Sequence, residues 1–156
     1  MTLWVVKLGT SLLRGDTSAA IEGYAQGIAA AQQRGDQVVL VTSGAVGLGC
    51  QRLGLTQRPT SVVALQAAAA VGQGYLMALY ERALATYDSR VAQVLLTRTD
   101  LVDRRRYQKA SGTLKQLLEW GVVPIVNEND AVSPAELRFG DNDTLSALVA
   151  AAVAAD

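Results

Sequence analysis

The sequence predicts an α/β fold, a three-layer α/β/α sandwich around a mostly parallel sheet, and three observations predict it. Four short apolar runs alternate with longer stretches of helical periodicity. The run at 38–41 is unbroken rather than alternating, as in strands buried on both faces, and 122–126 reads as a further buried strand. Half of the 156 residues are apolar and only 5% are aromatic, which favours helices packed closely through Ala and Gly.

The elements follow in order. Residues 3–8, LWVVKL, read as a buried strand that ends at Gly9-Thr10-Ser11. Asp16, Thr17 and Ser18 offer helix caps, and Ile21, Tyr24, Ala25, Ile28 and Ala29 recur on one face as far as a stop at Gly35. The strand at 38–41 runs into the glycine-rich turn Thr42-Ser43-Gly44-Ala45-Val46-Gly47, which opens a short helix. Pro59 and Thr60 start a long helix reaching about Tyr87, whose Gly72 and Gly74 predict a kink or a close approach to a neighbour. A third strand is expected at 91–96. Asp103 caps a helix with Tyr107, Ala110, Leu114, Leu117 and Leu118 inside, closed by Gly121. The fourth strand, 122–126, leads through a polar loop to a final Ala-rich helix. The last residues fall where another strand is expected, so the sequence reads as the first part of a longer domain.

Composition excludes several functions. Fourteen basic residues balance fourteen acidic ones, which gives no electrostatic reason to expect nucleic acid or a membrane surface. The most apolar tract noted, 145–155, has 11 residues, short of the ~20 that span a bilayer. Cys50 has no second cysteine to pair with, and the start lacks a basic segment before an apolar run. A cytoplasmic protein is expected. The absence of histidine removes Ser-His-Asp and Cys-His catalysis and histidine metal sites together.

Chemistry concentrates in 122–146, where a buried strand meets Asn127-Glu128-Asn129-Asp130 and a second cluster, Gly140-Asp141-Asn142-Asp143, opens a helix. Ligands of open α/β sheets collect at the C-terminal strand ends. Those ends carry Lys7 to Thr10, Thr42 to Gly44, Thr97 to Asp100 and Asn127 to Asp130. Neither G-x-G-x-x-G nor a P-loop string is present. Structural roles compete at each position: Lys7 as a protective edge lysine, Ser43 as a helix cap, Asp141 or Asn142 as a cap, Asp130 as a loop carboxylate. Arg104 to Arg106 read as a solvated helix face and Cys50 as a packing residue.

The strings VVKLGTS (5–11), VTSGA (41–45), LLTR (95–98), PIVNEND (124–130) and FGDND (139–143) closely resemble the amino-terminal part of the glutamate 5-kinase family, in the amino-acid kinase superfamily. The resemblance covers essentially the whole chain. Sister kinases of N-acetylglutamate, aspartate, carbamate or UMP share the fold but differ in these strings. It implies transfer of the γ-phosphoryl group of ATP, with Mg2+, to the γ-carboxylate of L-glutamate, the first step of proline biosynthesis. Lys7 then matches the phosphate-contacting lysine, with Gly9 and Thr10 forming the nucleotide turn. Ser43, Asp130 and Asn142 match the glutamate contacts, Asp130 facing the ammonium and Asn142 donating to a carboxylate. Asp143 matches the aspartate that orients catalytic lysines, and no protein metal ligand is implied. Lys109 departs from the pattern, which has asparagine before Ala110.

The resemblance further implies proline as a feedback inhibitor, a homo-oligomer, and no membrane or nucleic-acid partner for this part. The family's second half supplies the adenine pocket and another lysine. Residues 1–156 are therefore expected to hold glutamate without turning ATP over. The alternatives are a non-catalytic amino-acid-binding or assembly module, and a sister kinase with another acidic substrate.

Overall fold

The computed structural model describes residues 1–13, 16–133 and 142–156. The apolar runs form strands β1 (Leu3–Lys7), β2 (Gln37–Val41), β3 (Val91–Leu96) and β4 (Val123–Glu128). Among the described residues they make one sheet in the order β1-β2-β4-β3, with every neighbouring pair parallel. β-Branched side chains suit this half-crowded extended backbone. β4 lies between β2 and β3 and is buried at every position, the polar Asn127 and Glu128 included. It also runs further than the sequence predicts. Asn127 and Glu128 continue the strand because they pair in register with Leu95 and Leu96 of β3.

The helices are α1 (Thr17–Gln33), α2 (Ala45–Arg52), α3 (Val62–Ala85), α4 (Arg98–Val102), α5 (Arg104–Glu119) and α6 (Asn142–Val153), with a 3-10 turn at Thr10–Leu13. Asp16 caps α1 by accepting from the Ser18 and Ala19 amides at 3.0 and 3.1 Å. Asp103 caps α5 in the same way, through the Arg105 and Arg106 amides. Gly35 and Gly121 terminate α1 and α5 at positive φ. α3 starts later than expected, because Ser61 and not Pro59 or Thr60 accepts from the Ala64 amide. Lys109 is exposed on α5.

α4 was not legible in the sequence. The Thr97 amide and hydroxyl both donate to Asp100 Oδ2, at 2.7 and 2.6 Å, and this closes a short helix straight after β3. Arg106 donates to the other oxygen at 3.0 Å. Arg106 is exposed, as expected, but it is also a structural partner.

Two apolar cores flank the sheet. Alternate residues of β2 and β4, namely Val38, Leu40, Val123 and Ile125, pack against α1, α2 and α3 through Ile21, Ile28, Leu48, Leu76, Tyr80 and Leu84. Val39, Val41 and Val126 face the opposite side and meet Leu114 and Leu118 of α5 and Leu145 and Val149 of α6. The period of two along the strands thus separates the three predicted layers.

α2 and α3 cross backbone to backbone. A Cβ on Gly72 would lie 1.8 Å from the Ala45 carbonyl oxygen, and one on Gly49 would lie 1.7 Å from that of Ala68. The glycines therefore mark close packing, whereas Gly74 has open space where a Cβ would go. Among the described residues, α3 is the one helix long and apolar enough by composition to cross a bilayer, a longer tract than 145–155. Here its apolar face lies in the core, carrying hydrogen-bonded Gln73 and Tyr80 with it.

β1 is an edge strand, and Trp4 on it is 49% exposed. Trp4 and Val6 line an apolar groove with Tyr24 and Ile28 of α1. At the far end of the chain, the Asp156 amide donates to Leu3 O at 3.2 Å, and the Leu3 amide donates to Asp156 Oδ2 at 2.8 Å.

Candidate active site

A cleft of about 500 Å³ opens at the C-terminal ends of β1, β2 and β4. It forms where parallel strands deliver three polar turns to one edge of the sheet. β1 contributes Lys7, Gly9 and Thr10. β2 contributes Ser43 and Gly44, β4 Asn127 and Glu128, and the loop after β4 contributes Asp130. Asn142, the first residue of α6, completes it from across the sheet.

Lys7, Gly9, Thr10, Ser43, Asp130 and Asn142 line this cleft, and Asp143 stands beside it. Lys7 Nζ stands 2.6 Å from Asp143 Oδ1, so residues far apart in the chain form one ion pair at the mouth of the site. The side chains are 30% and 65% exposed. Solvent screening at that exposure keeps the pair's worth to stability within about 1 kcal/mol, so it orients the lysine more than it holds the fold. Asp143 also sits in the first turn of α6, where the helix dipole favours a negative charge. Lys7 is an edge-strand lysine as well, and the two roles coexist.

Gly9 leaves little spare room: a Cβ there would come within 3.1 Å of Lys7 Nζ. A bare backbone beside the ammonium suits the approach of an anion. Gly44 caps α2 in the left-handed region at φ 98°, which a side chain would strain. No side chain caps that helix, so its first amides border the cleft.

Ser43 is accordingly not a helix cap. Its hydroxyl accepts from Asn142 Nδ2 at 2.8 Å. The same nitrogen donates to Asn127 Oδ1 at 3.0 Å and to the Thr42 carbonyl oxygen. Asn142, 8% exposed, thus has three protein acceptors around the two hydrogens of its amide nitrogen. Its N–H groups face these protein acceptors in this structure. They brace the turn after β2 against α6.

The brace extends inward. Asn127 Oδ1 also accepts from the Glu128 amide at 2.9 Å, and its Nδ2 donates to Gln73 Oε1 at 2.9 Å. Gln73 Nε2 donates to Gln93 Oε1 at 3.0 Å. A backbone carbonyl accepts at one end and a backbone amide donates in the middle, so no side-chain amide in the chain can be turned over without losing a bond. The Thr42 hydroxyl meets Tyr80 OH at 2.7 Å. Burial pushes the Tyr80 phenol up to about 12, against the opposing pull of that hydrogen bond.

Sequence reasoning missed Gln73, Gln93, Tyr80 and Arg58. Gln73 left a signal, since it is a lone amide on the stripe Ala69, Gln73, Leu76, Tyr80 of an otherwise apolar helix. Arg58 left none, because it lies in the irregular loop joining α2 to α3, yet it lines the cleft. The third strand end, Thr97 to Asp100, does not line it, being occupied by the α4 cap. Phe139, Gly140 and Asp141 of the second cluster lie outside the described residues.

Asp130 and Glu128 also border a neighbouring cavity of about 330 Å³ with Gln73, Gly74 and Gln93. Among the described residues, no three His, Cys, Asp or Glu side chains gather as a metal site.

A family model described as "Amino acid kinase family" matches residues 2–156. The glutamate 5-kinase of Synechococcus sp. (strain CC9902) is 81% identical over 155 residues, 99% of this chain and 43% of that protein. The glutamate 5-kinase of Parasynechococcus marenigrum (strain WH8102) is 80% identical over 156 residues, the whole of this chain and 44% of that protein. The chain therefore spans less than half the length of these curated relatives. Among solved structures, an aspartate kinase from Synechocystis superimposes with a TM-score of 0.63 at 20% identity, over all of this chain and 27% of that one. At that identity the likeness speaks for the fold alone. A parallel sheet with its polar cleft at the strand ends, and a family model matching all but the first residue, agree: this chain belongs to the amino acid kinase family.

Proposed function

We propose that this chain forms the glutamate-holding part of a glutamate 5-kinase, which transfers the γ-phosphoryl group of ATP to the γ-carboxylate of L-glutamate. The observation that carries the reading is the Lys7–Asp143 pair beside the Ser43–Asn142 brace in one cleft. The names and identities of the relatives supply the substrate.

The chemistry suits a chain without histidine. The nucleophile is a carboxylate with a reference pKa of about 4.3, ionised at neutral pH, so no general base is needed. The difficulty is bringing one anion to another. Catalysis is then positioning and cancellation of charge on the transferring group. Lys7 supplies positive charge and Asp143 aims it. Gly9 and Thr10 let the first turn approach the phosphates, while Asp130 receives the substrate ammonium. ATP supplies the phosphoryl group, and Mg2+ accompanies its phosphates. The product, γ-glutamyl phosphate, begins proline biosynthesis, and proline as inhibitor, a homo-oligomeric assembly and the cytoplasm complete the proposal.

Calorimetry on this chain with L-glutamate, and separately with ATP and Mg2+, tests it. Glutamate should bind; ATP should not, and no γ-glutamyl phosphate should form. Turnover by these 156 residues would overturn the division of labour between the two halves. Absence of glutamate binding would overturn the substrate site. In a full-length relative carrying this segment, phosphorylation of N-acetylglutamate or aspartate in place of glutamate would assign it to a sister kinase. Glutamate binding without any transfer there would make it a binding module.

A further inference from the structure

Gln73 is a buried amide on a helix face that otherwise packs apolar groups. It is 8% exposed on α3, between Ala69 and Leu76 of the core. Burying a primary amide costs free energy unless its hydrogen bonds are made, and an aliphatic side chain would pack α3 as well. Gln73 does not line the cleft either; it borders the neighbouring cavity. Neither packing nor contact with a ligand in the cleft accounts for an amide here.

Its hydrogen bonds supply the reason. Gln73 Oε1 accepts from Asn127 Nδ2 at 2.9 Å, and Gln73 Nε2 donates to Gln93 Oε1 at 3.0 Å. Asn127, 2% exposed, does line the cleft. Its Oδ1 accepts from Asn142 Nδ2 at 3.0 Å, and the same nitrogen donates to Ser43 Oγ at 2.8 Å. An asparagine carboxamide turns about a broad torsion, so its partners set its tilt. Without the acceptor at Gln73, an Asn127 N–H would be buried unpaired, and the amide would tilt toward water in the cleft. That tilt draws Oδ1 away from Asn142. α3 is a firm base for this contact, because the adjacent Gly72 is packed against the Ala45 carbonyl at the start of α2.

We propose that Gln73 is a positioning residue for the substrate site: from the α3 side of the sheet it fixes Asn127 and, through Asn127, the Asn142–Ser43 pair. The assignment rests on the glutamate reading above, in which Ser43 and Asn142 contact the substrate while Gln73 stands behind them.

The test is Gln73→Met, which keeps the length of the side chain and removes both hydrogen bonds. It is read by calorimetry with L-glutamate and by proton–nitrogen NMR spectra of the side-chain amides. Glutamate should bind about 5- to 10-fold more weakly, the usual worth of one neutral hydrogen bond. With no ligand added, the Asn142 side-chain amide signal should shift, although Gln73 and Asn142 share no bond. Gly74→Ala, next in the chain with open space for a methyl, should leave the affinity and the Asn142 signal as in the wild type. Coupling between sites is reciprocal, so saturating the wild type with glutamate should move the Gln73 side-chain amide signal too. That measurement needs no variant to fold. A loss of less than about 2-fold, a Gln73 signal indifferent to glutamate, or weaker binding with the Asn142 signal unmoved would overturn the positioning role alone. A wild-type chain that binds no glutamate would overturn the parent reading and this assignment with it.

Discussion

Tyr80 shows how one buried hydroxyl ties the core to the site. Its ring sits among Leu76, Leu79 and Leu84, and its OH reaches Thr42, whose carbonyl accepts from Asn142. Burial raises the phenol from its ordinary value of 10 to about 12. The folded protein therefore holds this proton more tightly than the unfolded chain does. The resulting stability is intact below pH 10 and is lost as pH rises from 10 through 12. Two pH units correspond to about 2–3 kcal/mol. Melting curves collected from pH 9 to 12 should fall across that window, and Tyr80→Phe should flatten this part of the decline. Equal pH dependence in both proteins would show that the phenol titrates normally.

Between elements, the α2–α3 crossing decides whether the turn after β2 is positioned at all. Gly72→Ala puts a methyl where the Ala45 carbonyl stands, at the start of the helix that borders the cleft. Backbone cannot swing aside as a side chain can, so a loss of about 3 kcal/mol or more is expected, as for severe overpacking. Gly74→Ala, two residues away with open space, should instead stabilise α3 by up to about 1 kcal/mol through helix propensity. Denaturant midpoints of the two variants should move in opposite directions. The sequence showed both glycines and offered a kink or a close approach; only the crossing separates the two. Element order and the α1 and α5 caps were legible because Asp16, Asp103 and the apolar stripes act locally. The α4 turn was not, since Asp100 receives Thr97 and Arg106 through geometry that no periodicity announces. The site was legible as residue types at strand ends. The Lys7–Asp143 pair and the acceptors that Asn142 reaches at Thr42 and Ser43 were not, because they join residues about a hundred positions or more apart.

For the molecule as a whole, the sheet is covered unevenly. α5 and α6 close one face, whereas Trp4 and Val6 at the β1 edge remain accessible above α1. Exposed apolar surface of this kind binds hydrophobic dyes. The fluorescence of anilinonaphthalene sulfonate should rise with this chain and fall when Trp4 and Val6 are both replaced by Thr. Because these side chains are half in water already, that replacement should cost no more than about 1 kcal/mol. An unchanged dye signal would place the accessible apolar surface elsewhere.

The side-chain amides from Asn142 to Gln93 have a consequence for how the protein ages. Asparagine is hydrolysed slowly to aspartate, exchanging its NH₂ for an oxygen with hardly a change in shape. At Asn142 that exchange would set a carboxylate against the Thr42 carbonyl and the Asn127 oxygen, neither of which can turn to donate. The closest isostere is then the worst substitute. Asn142→Asp should destabilise more than Asn142→Ala, by about 1–3 kcal/mol, measured by thermal melting. In stored protein, a one-dalton gain at this residue should mark the molecules that have come loose between the β2 turn and α6.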